Sequence, residues 1–410
     1  MEIFKSRNSF LFILATGITS IGDGMYFIGL SWLGYSLTGS AGSVAVIVAL
    51  GTLPGLIASP FSGVVADRFN RKLIIISMDI FRAIVCLFIP AIMLFGDLKI
   101  WHLYIVAITL TLGSNFFHPA LSGLTKSSIP KNLIIRVISA NATLLQLGMI
   151  IGSGLSGFII SQTSVEYIFY VNALTYSISA LLFAFMKYEY IKKDSTHKNI
   201  YQQFFSDFKE GLNYIFNNKF LVHVFIIGFF PGIAIHVLNS LLSAYTKESL
   251  HLGVKEYGLL DSSYALGAVF MGLCISIINK KFTRKNAITY SSLLFMFSFL
   301  IIGSAPNFFI AVIGLFLLGL TVMLEGVNRR GLLIEYVDND YIGRVQSLNW
   351  TVYSSLAPTF AIITGFLSDH FGNRQVFFLL AIIAMLVFLY AKKSLQLPSS
   401  IEIKKDTYNQ

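Results

Sequence analysis

Charge is what this sequence has least of. Lys, Arg, Asp and Glu make up 12% of its 410 residues, about half the share a water-soluble domain carries, which excludes a broad solvated surface. Cysteine is equally scarce. Cys86 and Cys274 both lie inside apolar runs and read as small core residues, so no disulfide framework is expected. The few histidines are scattered, without a paired H-x-x-x-H or C-x-x-C, and no metal is expected. A glycine-rich phosphate loop is missing, which argues against direct ATP drive. So is any nucleophile–base grouping, and no enzyme and no cofactor are expected. The period-two alternation of a membrane barrel is absent as well. The net charge of +10 sits at the ends of apolar runs rather than in a patch interleaved with aromatics, which excludes a nucleic-acid partner.

What the sequence has in quantity is apolar length. Runs near the roughly 20 residues needed to cross a bilayer core recur throughout, and in lipid such runs satisfy their backbone only as helices. The expected spans are 10–33, 43–65, 73–95, 101–124, 139–161, 165–186, 219–244, 257–279, 286–304, 307–333, 349–368 and 375–391. The fold class is therefore an all-α membrane protein of twelve transmembrane helices. The first run continues well past Leu30, too long for a signal-peptide core. The long hydrophilic stretch from Lys187 to Lys219 falls at the midpoint. The expected organisation is an N-terminal six-helix half (1–186), a linker with an amphipathic helix (187–218), a C-terminal half (219–391) and a tail (392–410). In the linker Phe204, Phe205, Phe208, Leu212 and Phe216 share one side, the pattern of a helix on the cytoplasmic surface.

Orientation follows from the basic residues. One set of loops and the two ends carry twenty-five Lys and Arg, the opposite loops four. Both termini and the central loop are expected in the cytoplasm, with the chain multi-pass in the cell (cytoplasmic) membrane. The halves also repeat. Arg136-Val137-Ile138-Ser139-Ala140-Asn141 and Arg344-Val345-Gln346-Ser347-Leu348-Asn349 precede spans five and eleven, and the same offset carries Gly157-Phe158 onto Gly365-Phe366. Arg71-Lys72 before span three matches Arg284-Lys285 before span nine. Parallel six-helix halves with a binding site at their interface are a transporter plan.

Between spans two and three the sequence reads Gly63-x-x-x-Asp67-Arg68-x-x-Arg71-Lys72. This resembles the signature loop of the major facilitator superfamily, and the resemblance extends over nearly the whole chain. Ile21-Gly22-Asp23-Gly24, Phe117-His118-Pro119-Ala120 and Tyr341-Ile342-Gly343-Arg344-Val345 look like its macrolide-efflux and enterobactin-exporter branch. The resemblance implies that Asp67 meets a neighbouring helix N-terminus and the loop basic residues Arg68, Arg71 and Lys72, latching the cytoplasmic side shut. An anion at a helix N-terminus is favoured by the helix dipole. Gly51, Gly55, Ser59 and Gly63 give that helix one smooth face. The matching residue in the second half is Lys280, so one latch is expected. Gly148-x-x-x-Gly152-Ser153-Gly154-x-Ser156-Gly157 resembles the antiporter glycine motif with Ser153 in place of proline. Gly148, Gly152 and Gly157 also read simply as helix-packing glycines.

An ionisable group in mid-span costs about 2.5–3.5 kcal/mol on insertion scales, so each one needs a reason. Asp23, with Thr16, Thr19, Ser20 and Tyr26 at helical spacing, reads as part of a cavity-facing polar stripe and as a proton carrier. The alternative is a structural acceptor for a neighbouring helix. Glu325, with Arg329 four residues on, reads as a second protonation or substrate-contact site or as an intrahelical ion pair. His118 beside Pro119 is a third candidate, against a packed, hydrogen-bonded histidine. Asp79 and Arg82 read as a structural pair. Asn115, His236, Asn239, Ser240 and Ser243 are candidates to line the cavity. The function that follows is proton-coupled efflux, by antiport, of a bulky small molecule such as a macrolide, by a monomer in the lipid bilayer. The alternatives are a siderophore or metallophore exporter of the same fold, and a non-transporting receptor or scaffold.

Overall fold

The computed structural model describes residues 6–188, 190 and 200–395. Most of the expected linker up to residue 199, and the tail from 396 onward, lie outside the described residues, as do the side chains of Phe204 and Phe205. The helices are α1 (Arg7–Thr38), α2 (Ala41–Leu50), α3 (Leu53–Arg68), α4 (Arg71–Phe95), α5 (Ile100–Ser128), α6 (Ile134–Gln162) and α7 (Glu166–Ala184). They continue with α8 (Ile200–Phe216), α9 (Lys219–Ala244), α10 (Val254–Lys281), α11 (Arg284–Ser304), α12 (Phe308–Tyr336), α13 (Ile342–Phe371) and α14 (Asn373–Ser394). Among the described residues, twelve helical segments are long and apolar enough to cross a membrane, α2 and α3 forming one of them. The spans overrun their apolar runs, because polar residues just outside the hydrocarbon still complete helical turns.

Local chemistry sets the ends. Ser40 accepts from the Ser43 N–H at 3.1 Å, and Asn70 accepts from the N–H groups of Lys72 and Leu73 at 3.0 and 3.3 Å. Thr283 and Asn307 cap α11 and α12 in the same way, each satisfying donors a helix start leaves orphaned. Gly39 stops α1 in the left-handed region, φ 63°, where a residue without Cβ is unstrained. Helix α9 runs on into a π-helical turn, Tyr245–Ser249, followed by His251 at φ 55°.

The chain divides into two compact units, Met1–Lys198 with Leu242–Ser262, and Asn199–Leu241 with Ser263–Gln410. In the first unit one apolar cluster gathers Phe12, Ile75, Phe117, Leu124 and Phe183, and another gathers Leu33, Cys86, Leu103, Phe169 and Tyr176. In the second, Phe220, Leu221, Val224, Leu332, Val345 and Leu348 pack together.

The repeated Arg-Lys pairs perform the same task within each unit. Arg71 donates to the Ala66 and Gly123 carbonyls at 3.1 and 3.2 Å and pairs with Asp67 at 3.0 Å. Arg284 donates to the Gly331 carbonyl at 3.1 Å and pairs with Glu335 at 3.0 Å. A Cβ on Gly123 would collide with the Arg71 guanidinium, and one on Gly331 would stand 2.7 Å from Arg284 Nε. Each arginine thus reaches a neighbouring helix through a glycine gap.

Candidate functional site

Asp23 lies on α1 between two glycines, and both neighbours show why. A Cβ on Gly22 would collide with the Asn172 and Thr175 side chains of α7, and one on Gly24 would stand 2.7 Å from the Met149 carbonyl of α6. Without those methyl groups α1 wedges between α6 and α7. Asp23 then comes within reach of Tyr176, whose hydroxyl donates to Oδ1 at 2.5 Å. Asp23 itself is half-buried.

Tyr176 also contacts the next charge. Its ring and that of Phe117 each lie 4.3 Å from Arg82 Cζ, a cation–π arrangement. Arg82, 3% exposed, pairs through Nη2 with Asp79, 0% exposed. The other oxygen of Asp79 accepts from Ser179 at 2.7 Å. Gly113 makes room for the arginine, since a Cβ there would stand 3.0 Å from Arg82 Cγ. Four helices, α1, α4, α5 and α7, therefore meet around two carboxylates and one guanidinium.

The rest of the stripe on α1 is satisfied locally. Thr16 and Thr19 are buried and donate to the Phe12 and Ala15 carbonyls of their own helix, the usual recourse of mid-helix hydroxyls. Ser20 donates to the Gly17 carbonyl at 2.8 Å and reaches the Leu144 carbonyl of α6 at 3.3 Å. Tyr26 is half-buried against Phe169, and its hydroxyl has no partner. Asn115 donates to the Thr111 carbonyl and fills the space above Gly55. His118 sits edge-on to Phe117 with its side chain exposed.

In the second unit Glu325 on α12 is 2% exposed and accepts from Arg329 Nε at 2.9 Å. Arg329 also donates to Asn349 of α13 at 3.3 Å. Gly228 on α9 opens the space, as a Cβ there would stand 2.5 Å from Arg329 Cδ. His236 holds the Gly232 carbonyl at 3.2 Å and meets the Tyr353 ring edge-on, with Trp350 stacked on Tyr353 at 6.1 Å. Asn239 is half-buried, Ser240 donates to the Val237 carbonyl, and buried Ser243 leaves its hydroxyl unpartnered.

The signature loop stitches the first unit together. Lys72 donates to the Ala184 and Met186 carbonyls at 2.7 and 2.8 Å, and Tyr190 donates to the Arg68 carbonyl. Asp67 remains 71% exposed. Gly63 faces open space. The glycines of α6 take up close crossings on both sides. Gly148 and Gly152 lie against Ser20 and the Ile21 carbonyl of α1, and Gly157 against the Val254 carbonyl at the start of α10. Ser153 and Ser262 hydroxyls meet at 3.1 Å in that second crossing, and Tyr257 stacks on Trp32 at 5.9 Å.

Tyr176 and Asp261 are among the residues here that were not singled out from the sequence. Tyr176 gave no signal, since a tyrosine in an apolar helix is ordinary. Asp261, beside Ser153, did give one, being an acid inside the expected span 257–279. Among the described residues no group of three or more His, Cys, Asp or Glu side chains is placed to hold a metal ion.

The pattern of the Major Facilitator Superfamily matches residues 12–355 and, in an overlapping second match, 224–404. The chain is 24% identical over 344 residues to macrolide efflux protein A of Streptococcus pyogenes, covering 83% of this chain and 84% of that protein. It is 26% identical over 308 residues to the putative bacilysin exporter BacE of Bacillus subtilis (strain 168), covering 74% of each. Among solved structures, the nucleoside transporter NupG superposes with a TM-score of 0.76 at 12% identity, covering 95% of this chain and 99% of that one. An inward-facing bacterial homologue of the human lysosomal transporter Spinster superposes with a TM-score of 0.73 at 13% identity, covering 95% and 97%.

Proposed function

The chain belongs to the Major Facilitator Superfamily of membrane transporters, and on that premise we propose that it exports a bulky, partly apolar small molecule of macrolide type in exchange for protons. The observation that carries this reading is the acidic cluster around Asp23. A half-buried carboxyl group in mid-helix, held by Tyr176 and facing a single arginine already engaged by Asp79, is a place where a proton is gained and lost. One charge moving across 100 mV releases about 2.3 kcal/mol, enough for more than tenfold accumulation of a neutral solute. The relatives named for efflux favour the outward direction. The distribution of basic residues between the loops supports a reading in which the chain spans the cytoplasmic membrane with both termini and the central linker in the cytoplasm, acting there as a monomer without enzymatic activity.

An anionic siderophore is the competing cargo. The pairing of Arg329 with Glu325 speaks for the macrolide class, because that cation is already neutralised within its own helix. Thermal unfolding of the detergent-solubilised protein with a panel of macrolides, siderophores and dipeptides tests the assignment, since a ligand at 100 times its Kd stabilises by about 2.7 kcal/mol. The expected result is a shift with macrolides, whose efflux from cells stops when a protonophore collapses the gradient. A shift with siderophores alone, or efflux indifferent to the protonophore, contradicts it.

A further inference from the structure

Asp79 and Arg82 first read as a pair that merely holds helices together, and the pair sits where that reading is incomplete. Arg82 pairs with Asp79 through Nη2, yet its Nε–H is buried without any partner. A buried N–H left unpaired costs roughly 1–3 kcal/mol, so a spare donor in a packed helix core calls for an acceptor in some state of the protein. The remaining carboxylate of the cluster, Asp23, lies within the field of this guanidinium and is bonded to the same Tyr176 whose ring packs on it. The other ionisable groups facing the cluster are Tyr26 on α1, Cys86 on α4, His118 on α5 and Tyr176 on α7. None of them supplies a second fixed positive charge.

Two carboxyl groups therefore share one cation. With both ionised the cluster carries a net negative charge out of water, an arrangement that costs several kcal/mol per uncompensated ion. With one proton on Asp23 it is neutral. We propose that Arg82 is a shared counter-ion, which holds Asp79 while Asp23 carries its proton and turns its free Nε–H toward Asp23 when that proton leaves. Arginine suits this role because its rigid planar fork fixes Nη2 and the Nε–H in different directions, so that two acceptors can be served from one side-chain position. Arg82 is thus a positioning residue. It reports the loading of α1 to α4 and α7, and it limits this cluster to one proton per cycle. The proposal rests on Asp23 being the proton carrier.

The test is a pH titration, by infrared spectroscopy, of protonated carboxylic acid groups in the purified, detergent-solubilised full-length protein, with no transported ligand needed. The Asp23 band is the carboxylic acid band of the native protein that Asp23→Asn removes, the buried Glu325 and the acid Asp261 giving bands of their own that remain in the variant. In Asp79→Asn, Arg82 has no other anion and competes with the proton for Asp23, so the band's midpoint should move to lower pH by a unit or more, a tenfold change or greater. In the double variant Asp79→Asn/Arg82→Gln, which leaves no unpaired charge and so decides the matter if the single variant does not fold, the midpoint should move the opposite way by a similar amount. A midpoint that stays within a few tenths of a unit in either folded variant overturns the shared counter-ion. Identical carboxylic acid titrations in the native protein and Asp23→Asn overturn instead the assignment of Asp23 as carrier, so the two failures are distinguishable.

Discussion

At the scale of single residues, the positions that matter are those where a side chain is withheld. The polar cluster exists because Gly22 and Gly24 let α1 approach α6 and α7 on both sides of Asp23. Gly152 is the reciprocal gap on α6, where a Cβ would collide with the Ile21 carbonyl. Gly152→Val should therefore cost at least the 1–3 kcal/mol typical of overpacking, or prevent folding, with a lowered Tm for the solubilised protein. Gly63→Ala, facing open space in α3 at the head of the signature motif, should leave Tm unlowered, since alanine is the better helix former. The acid positions Asp23, Asp79 and Glu325 were legible in the sequence, because an ionisable residue in an apolar run is conspicuous. Their partners were legible only along one helix. Arg329 at i+4 from Glu325 and Arg82 at i+3 from Asp79 could be read, whereas Tyr176, 153 residues from Asp23, could not. The expectation that the α1 stripe lines a cavity rested on spacing alone, and Thr16 and Thr19 spend their hydroxyls on their own helix.

At the scale of elements, α8 is the instructive case. Its amphipathic pattern reads as a helix on the cytoplasmic surface. Its apolar residues Phe208, Leu212 and Ile215 pack into the apolar cluster of the second unit with Phe220, Val337 and Val345. The helix is pinned to the turn before α13 by Glu210–Arg344 at 3.1 Å and by Tyr214, which donates to Asp338 at 3.0 Å and stacks on Tyr341. An apolar stripe shows that a face is buried but not what buries it, and the partner loop lies more than a hundred residues away. Burial, with the adjoining Asp338 carboxylate, raises the Tyr214 phenol above its ordinary 10.0. Its contribution to docking is then complete below that value and lost only as pH rises through the raised one. The hydrogen-exchange protection factors of α8, taken relative to intrinsic rates at each pH, should accordingly be unchanged between pH 6 and 9. Glu210→Gln, an exposed pair, should alter docking by less than about 1 kcal/mol, whereas Ile215→Asp should release the helix to rapid exchange. The signature loop makes a similar contrast. Because the Asp67–Arg71 pair is largely exposed on the acid side, Asp67→Asn should leave Tm within the equivalent of about 1 kcal/mol. Transport should nevertheless slow if the carboxylate latches the cytoplasmic side. An unchanged rate removes Asp67 from the mechanism.

At the scale of the whole molecule, the twelve spans and the fold family were legible from apolar length and one loop motif, since the bilayer permits so few backbone solutions. The two six-span halves, 1–186 and 219–391, stand as our proposed repeat units, supported by the matched roles of Arg71 and Arg284. Orientation is tested with single cysteines in a background lacking Cys86 and Cys274. Replacements of Lys99 and Lys255 should react with impermeant reagent in whole cells, and replacements of Lys198 and Lys404 should not. A reactive central linker would reverse the topology. The substrate's identity was not legible, because a small molecule recognised by shape is read by many ordinary residues at once.

The central claim is that Asp23 carries the proton that drives export. It is tested most directly by uphill macrolide transport in reconstituted vesicles with an imposed pH gradient, comparing the native protein with Asp23→Asn. The amide preserves the size of the side chain and can still accept from Tyr176. The predicted result is a variant of normal Tm that no longer accumulates the drug against its gradient, yet still exchanges it downhill. A variant that pumps uphill at near the native rate would contradict it.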